Sequence, residues 1–412
     1  MRLGYGQTGN QGVPQVTAPG WATWPVYGNT GQAASMSVIG VTSLTWETTN
    51  SYDAGLDFGL FKNRINGSIG YYRQEVEGLL FQVPIPYSAG LPFGAHKIWS
   101  NIGKMKNDGL EFNINASVVD KGEFKWVTSL NISTNANKLL SINENMDSKG
   151  QGILSGMTWN KKGSKLSTFF IAEYAGIDKE KGIPMIYEID RDRYLKTNET
   201  VKTGNLIPAT SANVNNHKIL QEDKTGLPTY FGGFTNAFSW KGFELSAMLT
   251  FQGGNYIYDQ AEQTAINMGK GGTNLRKDLI GNTWTKAGDN AKYPQIMWDY
   301  AYQYGNDGLP VTSKVAYSPA TTQFLYKGDF IRLRTIQLSY TFPTSMGQKA
   351  GIKNLRIFVS GNNLLTITGF KGWDPEFSNV SSSSEARNLQ QGVAGNSVPS
   401  LRVWNAGFNI TF

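Results

Sequence analysis

The last twelve residues, 401–412 (LRVWNAGFNITF), restrict the fold more than any other stretch of the chain. Trp404, Ala406, Phe408, Ile410 and Phe412 are apolar, while Asn405, Gly407, Asn409 and Thr411 between them are polar or small. A period of two marks a half-buried strand, and here it runs to the final carboxylate. At the end of a soluble domain, an exposed aromatic strand would offer its unpaired edge to other chains. In a closed barrel the last strand pairs with the first and no edge remains. The ending therefore points to an outer-membrane barrel.

The same alternation recurs along the chain. Residues 2–8 read as a short strand. Tyr52, Ala54, Leu56, Phe58 and Leu60 alternate with Asp53, Gly55, Asp57 and Gly59, and a turn at 61–63 leads into Ile65, Gly67, Ile69 and Tyr71. Leu110, Phe112, Ile114, Ala116 and Val118 turn at 120–122 and return through Phe124, Trp126, Thr128, Leu130 and Ile132. Phe234, Phe238 and Trp240 turn at Lys241-Gly242 into Phe243, Leu245, Ala247, Leu249 and Phe251; Ile336, Leu338, Tyr340 and Phe342 precede Leu355, Ile357 and Val359. Ile331 and Leu333 are out of phase with Ile336 and Leu338, which predicts a β-bulge near Arg334-Thr335.

One face of each strand is nearly free of charge. The other carries Asp53, Asp57, Arg64, Glu111, Lys125 and Glu244. An Arg or Lys facing lipid at the bilayer centre costs about 2–4 kcal/mol, so the polar face is predicted to line a hydrated lumen. Long polar segments separate the hairpins, at about 77–107, 136–165, 191–228, 253–325 and 368–399. Such lengths are foreign to a compact soluble domain and usual for extracellular loops. With short turns in the periplasm and long loops outside, residues 166–175 and 183–190 are read as an added pair of wall strands, joined by 176–182. The expectation is about twelve antiparallel transmembrane strands, the last descending into the periplasm.

Composition agrees. Charged residues are 17% of the 412 and aromatics 12%, against a usual charged share of about 25%. Glycine is abundant, at 47, as in strands with aromatic girdles. No apolar run approaches the length of a membrane helix. There are no cysteines, which removes disulfides, thiol catalysis and thiolate metal sites. The net charge of +7 is dispersed, so a solvated surface is favoured over nucleic-acid binding. Residues 1–6 are already strand-like, with no apolar leader or cleavage site. An exported protein needs one, so the chain is expected to be part of a longer protein.

Few residues point to covalent chemistry. His96 and His217 are far apart in loop-like sequence, which argues against a metal site or a nucleophilic triad. Asn306-Asp307-Gly308 is similar to part of a calcium loop but lacks its ligand series and final Glu. The glycines of 6–12 have no Lys-Ser/Thr and no following helix, so a phosphate loop is rejected. No cofactor and no catalytic or metal-binding residue is expected. The loop aromatics Trp21, Trp24, Trp99, Trp159, Trp284, Trp298, Tyr300 and Tyr302 are the residues suited to contact a glycan, a peptide or a covering partner; loop packing is the plainer role.

Several segments together resemble one family, the SusC/RagA-type TonB-dependent outer-membrane transporters. They are Leu3-Gly4-Tyr5-Gly6-Gln7-Thr8-Gly9-Asn10-Gln11, Ser100-Asn101-Ile102-Gly103 with Asn107-Asp108-Gly109-Leu110-Glu111, and Tyr174-Ala175-Gly176-Ile177-Asp178 with Gly182-Ile183-Pro184. The series continues with Phe231-Gly232-Gly233-Phe234-Thr235-Asn236 and Gly242-Phe243-Glu244-Leu245-Ser246, then Gly328-Asp329-Phe330-Ile331-Arg332-Leu333-Arg334. Ser360-Gly361-Asn362-Asn363-Leu364 and Gly372-Trp373-Asp374-Pro375-Glu376 end it. The resemblance implies a 22-stranded barrel of which residues 1–412 form the C-terminal part, without signal peptide, TonB box or plug. It also implies a SusD-like surface lipoprotein as lid, TonB as energy source, and glycan or peptide cargo imported across the outer membrane of a Gram-negative bacterium. Phe412 then resembles the C-terminal aromatic read by the barrel-assembly machinery. Two rival readings remain: a self-contained twelve-stranded pore or hydrolase, and a soluble carbohydrate-binding β-protein.

Overall fold

Ten strands pair in sequence order into one antiparallel path in the computed structural model. The structure describes residues 1–10, 20–25, 32–38, 40–84, 97–101, 103–142, 152–197, 199–266, 276–295, 318–347, 351–376, 389–395 and 398–412. The strands are β1 (Arg2–Asn10), β2 (Glu47–Leu60), β3 (Ile65–Glu77), β4 (Gly103–Lys121), β5 (Phe124–Thr134), β6 (Tyr230–Trp240), β7 (Phe243–Gly253), β8 (Phe330–Thr341), β9 (Asn354–Thr368) and β10 (Val403–Thr411). An eleventh strand, Ala136–Ile142, continues β5 upward and pairs with the first residues of β4. The path ends at β1 and β10, which are not paired with each other among the described residues.

Chemistry at the turns sets the register. Lys241 and Gly242 both have positive φ, 48° and 85°, which is the type I′ geometry that matches strand twist, and Trp240 lands opposite Phe243. Between β2 and β3, Phe61, Lys62 and Asn63 all take left-handed φ, 53°, 60° and 64°. Short turns and long connections alternate without exception along the path. With short turns in the periplasm, β1 ascends and β10 descends.

Register also fixes which residues share a face. Phe124, Trp240, Phe243, Tyr340, Ile357 and Phe408 form one continuous row across six strands. Above it run Trp126, Phe238, Leu245, Leu338 and Val359, then four further rows, the last holding Thr134, Tyr230 and Gly253. From Phe243 to Gly253 the strand rises about 34 Å along its axis. Tilted by about 45°, it covers close to the roughly 25 Å apolar band of a membrane barrel. Most of these side chains are exposed or half-buried, Leu338 at 51% and Phe408 at 69%, as suits a barrel face turned to lipid.

The predicted bulge is present. Thr335 pairs with Met248 and Leu333 with Leu249, so Arg334 is the extra residue on β8. Opposite, Leu333 pairs with Leu365 and Thr335 with Asn362. Without this insertion, Ile336, Leu338 and Tyr340 would turn into the lumen, since a one-residue slip exchanges the faces.

The two wall strands expected at 166–175 and 183–190 are not in the wall; β5 pairs directly with β6. Thr168–Ile171 belongs to a four-stranded sheet, and Tyr174–Ile177 and Pro184–Ile189 to a separate three-stranded one. At 4, 4 and 6 residues they are too short to cross a bilayer, which takes about 9–11. Periplasmic and extracellular sides still alternate correctly, because all of 135–229 is a single outer connection.

Those long connections are folded. One buried cluster joins Phe169 and Ile171 from 135–229, Tyr258, Ile266, Leu279, Tyr293 and Phe324 from 254–329, and Val393 from 369–402. Thr158 Oγ1 donates to the Leu389 carbonyl across 231 residues. The buried apolar core of the chain thus lies in an outer cap, while the wall exposes its apolar side chains.

Candidate functional site

Beneath the cap, the polar face of the wall carries most of the residues expected there. Asp53 lies opposite Gly4 and Tyr72, Asp57 opposite Ser68, Glu111 opposite Gly70 and Ser133, and Glu244 opposite Ser239 and Ser339. Each is on the face away from the aromatic rows. Arg2 Nε bridges to Asp57 at 2.9 Å and Arg356 reaches Glu244 at 3.4 Å, so the face is knit by cross-strand ion pairs. Arg64 is at a turn, where it donates to the Ser117 and Val118 carbonyls at 3.2 and 3.1 Å. That places it on the periplasmic rim rather than along the wall. Phe412 directly follows β10 and is 73% exposed.

Where wall and cap meet, two arginines of β8 hold a loop. Arg332 is 2% exposed, yet its guanidinium is fully partnered. It pairs with Asp374, reaches Glu376 at 3.0 Å, and donates to Ser400 Oγ and Thr366 Oγ1 at 3.0 and 3.1 Å. Arg334, the bulged residue, donates to both oxygens of Glu376. Asp374 also accepts from the Ser400 and Glu376 backbone N–H groups, at 2.9 Å each. Burial pushes the Asp374 carboxyl up, but the bonds from Arg332 and these backbone donors outweigh it and hold it at about 2. A buried charge is tolerable only when paired and hydrogen-bonded, as here. The clamp fixes the segment Gly372-Trp373-Asp374-Pro375-Glu376 to the inner wall.

Beside the clamp is a cavity of about 510 Å³ lined by Asp259, Glu262, Arg276, Lys371, Gly372 and Trp373. Its ionised groups are largely committed. Arg276 pairs with Glu262 and, at 2.8 Å, with Asp278; Tyr326 donates to Glu262, and Tyr293 to Asp278 at 2.7 Å. Burial raises the Tyr326 hydroxyl strongly, so it stays a donor. What stands open is the Trp373 ring, 74% exposed, with Lys371 beside it over the Tyr326 ring at 5.7 Å. An open indole face flanked by charged hydrogen-bonding groups can stack a sugar ring or an apolar peptide side chain. It offers no nucleophile paired with a base.

Trp159 and Trp284, the loop aromatics whose side-chain contacts are described, pack in separate places. Trp159 makes an edge contact with Phe170, centroids 4.4 Å apart, and packs on the cluster of Ile189, Tyr194 and Ile219. Trp284 donates its Nε1 to the Lys179 carbonyl at 2.7 Å and lies against Gly182. Trp99 lies in the strand Lys97–Asn101 and is half-buried. Trp21 and Trp24 are in the strand Gly20–Pro25, paired with Gln32–Val38; Trp298, Tyr300 and Tyr302 fall outside the described residues, as does His96. His217 caps a helix, and its Nδ1 accepts from the Ile189 N–H at 3.2 Å. The clamp escaped the sequence reading, although two arginines in an out-of-phase strand and an Asp-Pro-Glu in a charge-poor chain were its available signals.

Comparison with known proteins follows this geometry. The family model described as TonB dependent receptor-like, beta-barrel, matches residues 1–159. TonB-dependent receptor P3 of Formosa agariphila is 27% identical over the whole chain, which covers 39% of that protein. TonB-dependent receptor SusC of Bacteroides thetaiotaomicron is 25% identical, again over the whole chain and 37% of its own length. The solved RagAB peptide transporter superposes over the whole chain with a TM-score of 0.77 at 23% identity, covering 40% of the matched chain; that likeness concerns the fold. The chain spans about two fifths of the length of the relatives it matches.

Proposed function

We propose that this chain, similar to TonB-dependent receptors along its whole length and matched at residues 1–159 by the family model of their β-barrel, supplies wall and outer cap to an outer-membrane importer of oligosaccharides or peptides. The observation that carries this reading is the division of one antiparallel sheet into a continuous exposed apolar face and an ion-paired polar face. Only lipid on one side and a hydrated lumen on the other satisfy both faces.

In this reading cargo is held between the cap and a SusD-like lipoprotein, with Trp373 as stacking platform. Asp53, Asp57, Glu111 and Glu244 line the passage, and the loop tryptophans contact cargo or lid. TonB then moves a plug carried elsewhere in the receptor, which opens the lumen. The chain is read as non-enzymatic, since the acids around the cavity are engaged in ion pairs and caps. A self-contained pore is less favoured, because β1 and β10 are not paired with each other among the described residues. A soluble glycan binder is less favoured, because its exposed aromatic rows would aggregate.

The test is deletion of the gene, followed by growth on oligosaccharide or peptide mixtures as sole carbon source, with membrane fractionation of the tagged protein. Loss of uptake of one class, restored only in strains with functional TonB, is the expected result. A protein found in the soluble fraction, or uptake indifferent to TonB, would overturn the reading.

A further inference from the structure

The outer face of the wall does not end at its apolar band. Tyr71 and Leu110 share the band's upper edge with Thr134 and Tyr230. Above them the outward rows become charged, with Arg73 opposite Asp108, Glu75 opposite Lys106, and Lys106 opposite Lys138. Lys106 is four residues beyond Leu110, about 13 Å along the strand, or roughly 10 Å above the band at a 45° tilt. The lysine heads stand at the outer headgroup layer, within reach of a snorkelling side chain.

At this height lies a cavity of about 440 Å³ whose lining includes Lys138, Lys161, Lys162 and Lys165, with Glu222 and Asp223 as the acids. Backbone pairing builds it. Gly163 N–H donates to the Leu139 carbonyl at 2.8 Å and Leu139 N–H to the Ser164 carbonyl at 3.0 Å, so the Lys-Lys-Gly-Ser-Lys turn is strapped to the strand bearing Lys138. Lys165 pairs with Asp223 at 3.1 Å and Lys106 with Asp108 at 2.6 Å. Glu75 and Glu77 are engaged by Arg73 and Lys104. Lys161 lies over the Trp159 ring. Lys138 and Lys162 have no acidic partner among the described residues. Lys138 lies directly opposite Lys106; Asp108 answers the charge of Lys106, which leaves that of Lys138 for an anion in the cavity.

We propose that this pocket binds the phosphate groups of an outer-leaflet glycolipid. The assignment rests on the outer-membrane reading above. A membrane source is favoured over a soluble anion because Lys138 shares the lipid-facing side, not the lumen side, and lies just above the lipid band.

The test takes the protein extracted from its own outer membrane, folded state checked by heat-modifiable mobility, beside a Lys138→Gln/Lys162→Gln variant. Lys121→Gln, at the periplasmic end of β4, serves as control. Each is placed in phosphatidylcholine nanodiscs with or without diphosphorylated lipid A, and retained lipid is counted by native mass spectrometry. Retention of lipid A should fall about 30-fold in the double variant, at about fivefold per lysine, remain unchanged in the control, and require the phosphates. Equal retention by the double variant, or of dephosphorylated lipid, overturns the proposal. Full displacement by millimolar inorganic phosphate also overturns it, in favour of a soluble anion. A protein absent from the outer membrane would instead refute the preceding functional reading.

Discussion

Placing an arginine on each face of β7 separates lipid from lumen. Leu249 is in the row Leu130, Phe234, Leu249 and Leu333, six residues above the Phe243 girdle and four below Gly253. At about 2.4 Å of vertical rise per tilted residue, it is within a few ångströms of the band's midplane. Leu245 is two residues above the girdle, nearer the interface. Ser246 faces the opposite side, between Ala237 and Gln337. An arginine at the midplane costs about 2–4 kcal/mol and falls towards zero at the interface. Leu249→Arg should therefore lower folding equilibrium by roughly 30- to 1,000-fold, Leu245→Arg by less, and Ser246→Arg by little. Urea titration of the protein in lipid vesicles, read by heat-modifiable gel mobility, gives the three values. Equal penalties for Leu249→Arg and Ser246→Arg would refute the assignment of faces, and a penalty at Leu245 exceeding that at Leu249 would refute the depth scale.

Other consequences concern the clamp, a turn and a buried imidazole. Asp374→Asn leaves the buried Arg332 guanidinium one carboxylate short, which should cost about 3 kcal/mol and show as faster hydrogen exchange across 369–376. Because the folded Asp374 carboxyl is held at about 2, below its ordinary range, its contribution is full above about pH 4 and is lost as pH falls through 2. The full size is about 2 kcal/mol, of which about half is lost by pH 3, and the same exchange measurement at pH 7 and pH 3 should reveal that half. Lys62→Gly removes a side chain from a left-handed position and should stabilise the protein by up to about 1 kcal/mol in urea titration. Burial holds the His217 imidazole below its usual range; neutral His217 accepts the Ile189 N–H, so the local fold of the cap around 189–219 should weaken as pH falls below about 6.5. Limited proteolysis between pH 7.5 and pH 5 is the check, and an unchanged cleavage rate would count against it.

Sequence by itself decided the wall. Period two needs only neighbours along one strand, so the apolar rows, turns near 61–63, 120–122 and 241–242, and even a bulge near Arg334-Thr335 could be read from local order. Lipid imposes that order directly, since every outward residue must be uncharged within the band. The cap was decided by tertiary structure. Its core joins Phe169 to Tyr258 and Val393, and its strands are as short as two or three residues, too brief for periodicity to register. Residues 166–190 carry a wall-like alternation, but a strand's length and partner settle whether it crosses lipid, and pairing of β5 with β6 excluded them. The Arg332–Asp374 clamp is likewise a contact across 42 residues, between a strand whose pattern announces it and a loop whose position only the folded chain defines.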